Sequence, residues 1–419
     1  MAKIKQIIAR EILNAKGQPT IETTVILTDG SFGVASVPTG TSVGEYEATD
    51  LRDGDEKRYL GKGVLKAISN IEQIIAPALI GMEASKQPEI DRKMIEMDGT
   101  QNKGKLGANA TLSVSEAVAK AAARSSVLPL FMYLRGFVKR ENLPLKVPIP
   151  LFNVLNGGLH AGKNLDFQEF LVIPASSKSY SESLNLGSSM YFALEKALDS
   201  AGYSTLVGDE GGFGPKLDTN KDAIEFLKRA ADSLNLRVGF DIFFGLDAAA
   251  SNFYSEQRYH IKDKTMALTS KDLSDYYQTL NSDYHLLYIE DPMSQDDWDG
   301  WKACNEALSN QTLIVGDDLT ATNPYRLQMA INKKAINGII IKPNQIGTVI
   351  ESLAVIEVAR LAGLKIIVSH RSGETNDDFI ADFAVAASAD YCKFGAPARG
   401  ERVSKYNRLL QIERQLKST

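Results

Sequence analysis

The chain has 419 residues, 44% hydrophobic and 24% charged, with a net charge of -5. That is an ordinary soluble composition with room for two domains or one large one, and its acidic balance gives no electrostatic case for nucleic acid or an anionic membrane as partner. Two distant cysteines, Cys304 and Cys392, without CxxC spacing, argue against a disulfide framework or a zinc cluster and fit a reducing, cytoplasmic setting.

The first residues, MAKIKQIIAREIL, carry charge where a signal peptide needs an apolar core. No run approaches the ~20 apolar residues of a membrane span. KIKQIIARE, TIETTVILT and SFGVASV read as three strands. Two helical patterns follow: GKGVLKAISNIEQIIAPAL, with apolar residues at i, i+3 and i+4, and LGANATLSVSEAVAKAAARSS, whose small residues suit close packing. Residues 1–135 are thus expected to form an α+β unit. The proline-rich RENLPLKVPIP breaks both periodicities and sets a boundary, leaving 136–419 as a second domain.

In that second part, apolar runs alternate with helices, the clearest being SESLNLGSSMYFALEKALDSAG, KDAIEFLKRAADSLN, NPYRLQMAINKKA and TVIESLAVIEVARLAG. Six runs, TLVGDEGG, DIFFGLDAAAS, LLYIEDP, TLIVGDDLT, GIIIKPN and LKIIVSHRSGE, each end on charge. The charged residues are Asp209 and Glu210, Asp247, Glu290, Asp317, Lys342, and His370 with Arg371. The runs recur at roughly 25 to 40 residues, the length of a βα unit. Parallel strands that deliver polar groups from their C-terminal ends predict a TIM-like (β/α)8 barrel with a site on its top face. A doubly wound sheet is the alternative, but no GxGxxG follows a first strand.

Any one of Asp247, Glu290 and Asp317 could cap the helix after it. All three at the same topological position instead suggest an all-oxygen site that suits Mg²⁺. Lys342 closes GIII, and Pro343 keeps its backbone out of the α region. Near a cation and a second lysine, Lys393, its pKa is expected to fall, which would let the amine act as a base; the alternative is that each lysine snorkels to solvent. His370, Arg371 and Ser372, followed by Gly373, suit a phosphate. His160 sits in the glycine-flanked NGGLHAG, Gln168 and Glu169 open a strand, and Glu210 precedes paired glycines.

These segments, with PTGTSVGEYEA, DGTQNKGKLGANA, NVLNGGLHAG, IKPNQIGT, SHRSGET and KFGAPARGERVSKYNRLL, resemble the enolases from end to end. The resemblance implies the enolase type of barrel and loss of water from 2-phospho-D-glycerate to give phosphoenolpyruvate, a step of glycolysis and gluconeogenesis. It implies two Mg²⁺, one held by Asp247, Glu290 and Asp317, the other by Ser42 once substrate arrives. It makes Lys342 the base and Glu210 the acid, assisted by Glu169. His160, Gln168, His370, Arg371, Ser372 and Lys393 match substrate-contacting positions. A homo-oligomer, dimer or octamer, and a cytoplasmic location are implied too; a second, cell-surface role would leave no mark in the sequence.

The chain departs from the family in two segments and at Gly214, Asn252 and Pro343, single positions that remove no catalytic group. Asn14-Ala15-Lys16-Gly17-Gln18-Pro19-Thr20 replaces a D-S-R-G-N-P-T segment, which puts subunit contacts in question. Thr39-Gly40-Thr41-Ser42-Val43-Gly44 replaces S-G-A-S-T-G, and its β-branched residues predict a stiffer loop. Two other readings stand beside this one. A racemase or cycloisomerase of the same superfamily would share the metal triad but not the SHRSGET, GLHAG and PTGTSVG loops. A non-catalytic binding paralogue would be favoured by a lost ligand or base, and none is lost.

Overall fold

The computed structural model describes residues 2–40, 44–139 and 143–418. Ser42, and the start of the expected boundary segment at 140–142, lie outside the described residues. Strands β1 (Ile4–Leu13), β2 (Pro19–Leu27) and β3 (Phe32–Ser36) form an antiparallel meander. Ile4 and Ile7 on β1, either side of a register shift, and Ile21 and Val25 on β2 are buried. The alanine-rich helix Ala108–Ser125 lies across β2 and β3 on its buried Ala110, Ala117 and Ala121.

The second part builds β4 (Ile149–Asn156), β5 (Glu169–Pro174), β6 (Ile242–Asp247), a small hairpin of β7 (Tyr254–Ser255) and β8 (Arg258–Tyr259), β9 (Leu286–Glu290), β10 (Leu313–Gly316), β11 (Gly338–Ile341), β12 (Lys365–Ser369) and β13 (Tyr391–Lys393). All but the hairpin close a barrel in the order β4-β5-β6-β9-β10-β11-β12-β13. Leu151, Leu171, Ile173, Tyr288, Val315, Ile340 and Ile367 fill its interior, while the alternate Ile339, Ile341, Ile366 and Val368 face the helices. Two strand expectations are corrected here. β5 runs antiparallel to both neighbours, because residues 157–168 return through a short 3₁₀ turn at Gly158–Ala161 with no crossover helix. Glu169 therefore reaches the rim from the N-terminal end of its strand. TLVGDEGG is no barrel strand either: both edges of β4 are already taken, by β13 and β5. The paired glycines fold it back on itself, with Gly208 N donating to Gly212 O at 2.8 Å.

Sequence caps fix the helices around the rim. Ser179 with Glu182, Thr219 with Asp222, and Thr269 with Asp272 form capping boxes. The helix Val349–Leu361 is capped partly from the other domain: Val349 N donates to Ser115 Oγ and Ile350 N to Asp91 Oδ2, each at 3.1 Å. These bonds set the small domain against the barrel.

Candidate active site

Asp247 and Glu290 end β6 and β9, and Asp317 follows β10 by one residue. None of the three caps a helix; the next helices are capped by Asp297 and Asn323. Asp247 and Asp317 line the cavity at the barrel mouth, with Glu290 just beneath them. Lys393, at the end of β13, places Nζ 3.2 Å from Asp247 Oδ2, 2.8 Å from Glu290 Oε2 and 3.2 Å from Glu169 Oε2. Neither lysine snorkels: Lys393 is fully buried, and the Lys342 ammonium lies against the Asp317 carboxylate. Burial depresses the Lys342 amine, yet the Asp317 charge outweighs it and holds the group above its ordinary value. The fall expected beside a cation would need that cation to take the Asp317 carboxylate, which here is the amine's nearest neighbour.

Glu169 and Glu210 form a carboxyl pair. With His160 they present ligand atoms all within 4.8 Å of one another. Burial, then the Glu210 charge, lifts Glu169 well above the carboxylate range. Burial also raises Glu210, but His370 and His160 outweigh it and hold Glu210 well below. Asn153 adds a hydrogen bond from Nδ2 to Glu210 Oε2 at 3.1 Å. Like charges this close share one proton, and here it rests on Glu169.

Arg371 faces the same cavity as Lys342, Glu210, His370 and Ser372. The small domain reaches it: Glu47 Oε2 and Oε1 take Nη1 and Nη2 at 2.7 and 3.1 Å. Beside Glu47, Tyr46 stacks on the Arg326 guanidinium at 4.0 Å. Gly373 lies so close to the small domain that a Cβ would stand 2.6 Å from Thr39 Oγ1 and 2.8 Å from Asn14 Nδ2. The altered Asn14–Lys16 segment meets its own chain's barrel, with Lys16 Nζ 2.5 Å from Asp209 Oδ2 and Ala15 N donating to Glu374 O at 2.8 Å.

Eleven of the thirteen residues singled out from sequence line this one cavity. Glu290 lies beneath it, fully buried and bonded to Lys393 and to Tyr288 Oη at 2.5 Å; Ser42 lies outside the described residues. Sequence reasoning missed Glu47, Asn153, Gln345 and Arg402. All four sit inside the motifs that carry the resemblance, but only the fold shows what they touch. The donor set suits a hard cation. Burial, then Asp247, pushes Glu290 up to about 8. Asp317 also joins Asp291 and Asp318 in a cluster with ligand oxygens within 4.8 Å. Carboxylate oxygens in such excess fit Mg²⁺ better than a softer metal.

Residues 144–419 match the family model described as "Enolase, C-terminal TIM barrel domain", and residues 4–134 match "Enolase, N-terminal domain".

Proposed function

The chain belongs to the enolase family, and from that premise we propose that this lyase catalyses the reversible dehydration of 2-phospho-D-glycerate to phosphoenolpyruvate. The observation that carries the reading is one cavity lined by a lysine, a carboxyl pair and an arginine–serine loop. These are a base, a proton donor for a leaving hydroxyl, and a phosphate clamp.

Lys342 Nζ takes the proton from the carbon beside the substrate carboxylate. Before that, the ammonium must give its own proton to solvent, which would become easier once Asp317 is committed to a cation rather than to the lysine. Two Mg²⁺, one held by Asp247, Glu290 and Asp317 and a second by Ser42, would offset the charge developing on the substrate carboxylate. A Lys or His base beside one or two Mg²⁺ is the established pattern of enolase-superfamily sites, and the pairing of Lys342 with this acid cluster follows it. Lys393 stands over the same carboxylates and supports that charge directly. The hydroxyl leaves from the neighbouring carbon with the one proton that the Glu169–Glu210 pair holds, passed from Glu169 to Glu210 and donated from there. Arg371 and Ser372 hold the phosphate, while Gln168, whose Nε2 lies 3.3 Å from Asp247 Oδ2, and His160 border the reacting end. A racemase or cycloisomerase would have no use for the Arg371–Ser372 loop. The enzyme is expected to act in the cytoplasm as a homo-oligomer.

Purified protein with Mg²⁺ and 2-phosphoglycerate is expected to generate the ultraviolet absorbance of phosphoenolpyruvate, and to lose it with a chelator. Absence of product with intact fold and bound Mg²⁺ would overturn the assignment.

A further inference from the structure

Arg402 is fully buried near the start of the C-terminal helix Gly400–Lys417. Its guanidinium reaches two loops of the site. Nη1 lies 2.6 Å from His370 Nδ1 and donates to Arg371 O at 2.6 Å. Nη2 donates to Ser372 O at 2.6 Å and to Asp209 O at 3.3 Å. The fit is tight: a Cβ on Gly395 would stand 2.8 Å from Glu210 O, 2.9 Å from the His370 ring and 3.0 Å from Arg402.

A guanidinium has donors and no acceptor. His370 Nδ1 must therefore accept, and carries no proton. A neutral ring then bears its hydrogen on Nε2. That atom faces Glu210 Oε2 at 3.3 Å, out of line for a hydrogen bond, and has no other polar partner among the described residues. It is a donor aimed at the carboxyl pair and left available for whatever sits there.

We propose that Arg402 is a positioning residue that locks His370 in the Nε2–H tautomer, so that the imidazole is a fixed hydrogen-bond donor to the reacting end of the substrate. The role in turnover rests on the dehydration reading above; the tautomer does not. The charged groups around the ring agree. Burial, opposed by Glu210 and reinforced by Arg402 and Lys393, pushes the imidazole down to about 3, so it stays neutral while the enzyme works. The same guanidinium ties the carbonyls of Arg371, Ser372 and Asp209 together, so the phosphate clamp and the acid loop share one anchor.

The test is nitrogen NMR of the full-length protein labelled at histidine. His370→Gln assigns the His370 signals among the four histidines. The expected spectrum has a pyridine-type Nδ1 and a pyrrole-type Nε2, unchanged between about pH 5.5 and about pH 8.5, a window across which a free imidazole titrates. A protonated His370 Nδ1 anywhere in that window, read on the wild-type protein once its signals are assigned, overturns the proposal. Arg402→Met should mix the tautomers, restore titration and lower kcat on the order of a hundredfold, the scale of a misplaced catalytic group, with a smaller change in KM. Arg402→Lys, which keeps a donor to Nδ1, should recover the wild-type nitrogen pattern. A folded Arg402→Met protein with the wild-type spectrum would equally overturn Arg402 as the cause. If the dehydration reading fails, no product forms while the nitrogen pattern stands, so the two failures are distinguishable.

Discussion

Glu47 and Arg371 join the small domain to the barrel through a two-point pair, Oε2 to Nη1 at 2.7 Å and Oε1 to Nη2 at 3.1 Å, with both side chains 5% exposed. The geometry is the parallel fork that a carboxylate offers a guanidinium. It also means that the proposed phosphate clamp is held in its plane by a residue from the other domain. Removing one partner of a buried pair leaves an uncompensated charge and costs about 3–5 kcal/mol. Glu47→Ala is therefore expected to lower the thermal midpoint clearly. Phosphate or sulfate, which can pair with the stranded Arg371, should restore part of that loss in the variant and do less for the wild type. A midpoint unmoved by the substitution would show that the pair contributes nothing to the docking.

The fold's logic was written in the sequence where local chemistry decides it. The βα spacing, the capping pairs Ser179–Glu182 and Thr219–Asp222, and the charged ends at Asp247, Glu290 and Lys342 are all local. The antiparallel β5 was not legible, because strand direction depends on the missing crossover and not on the apolar run FLVI. Asn153, Glu47 and Arg402 escaped notice for the same kind of reason. Each acts on a residue distant in the chain: Asn153 on Glu210, Glu47 on Arg371, Arg402 on His370. The proton on Glu169 rather than Glu210 is also a property of the assembled site, set by where His370 and His160 stand.

The division of labour between Lys342 and Glu210 can be separated by isotope exchange. Lys342→Ala removes the base, so both phosphoenolpyruvate formation and exchange of the carbon-bound hydrogen with deuterated solvent should fall by about 10²–10⁴. Mg²⁺ binding should be at least as tight as in the wild type, because the ammonium that now competes for Asp317 is gone. Calorimetry reads the affinity and proton NMR the exchange. Retained exchange would exclude Lys342 as the base.

Glu210→Gln should behave differently. The base is intact, so exchange at the carbon next to the carboxylate continues, while loss of hydroxide slows by about 10²–10⁴. Glu169→Gln should also depress dehydration. In addition it should weaken the hold on Lys393, which lies 3.2 Å from Glu169 Oε2. Equal loss of exchange and elimination in Glu210→Gln would remove Glu210 from the acid's place and leave only a structural role.

Glu116 gives a prediction that is independent of the chemistry. It lies on the helix Ala108–Ser125, 5% exposed, against a cavity of about 30 Å³ that Leu112, Pro343, Phe379 and Ile380 also line. Burial first, then the Asp377 charge, raises its carboxyl well above the usual range, and Lys120 and Lys405 only partly oppose this. The sign follows. The folded state holds the proton more tightly than the unfolded chain does, so the stability from this group is full below the unfolded value. It is lost as pH rises through the folded one. Ionised Glu116 is then a desolvated charge beside the Asp377 carboxylate. Glu116→Leu removes the ionisation and fits the cavity, so the variant should gain about 1–3 kcal/mol over wild type at mildly alkaline pH. The gain should shrink as pH falls through the raised folded value and vanish below about 4, where the carboxyl is neutral in both states. Denaturant unfolding of the two proteins at several pH values measures the difference directly, and a gain that grows toward acid pH would show that Glu116 is charged in the native protein.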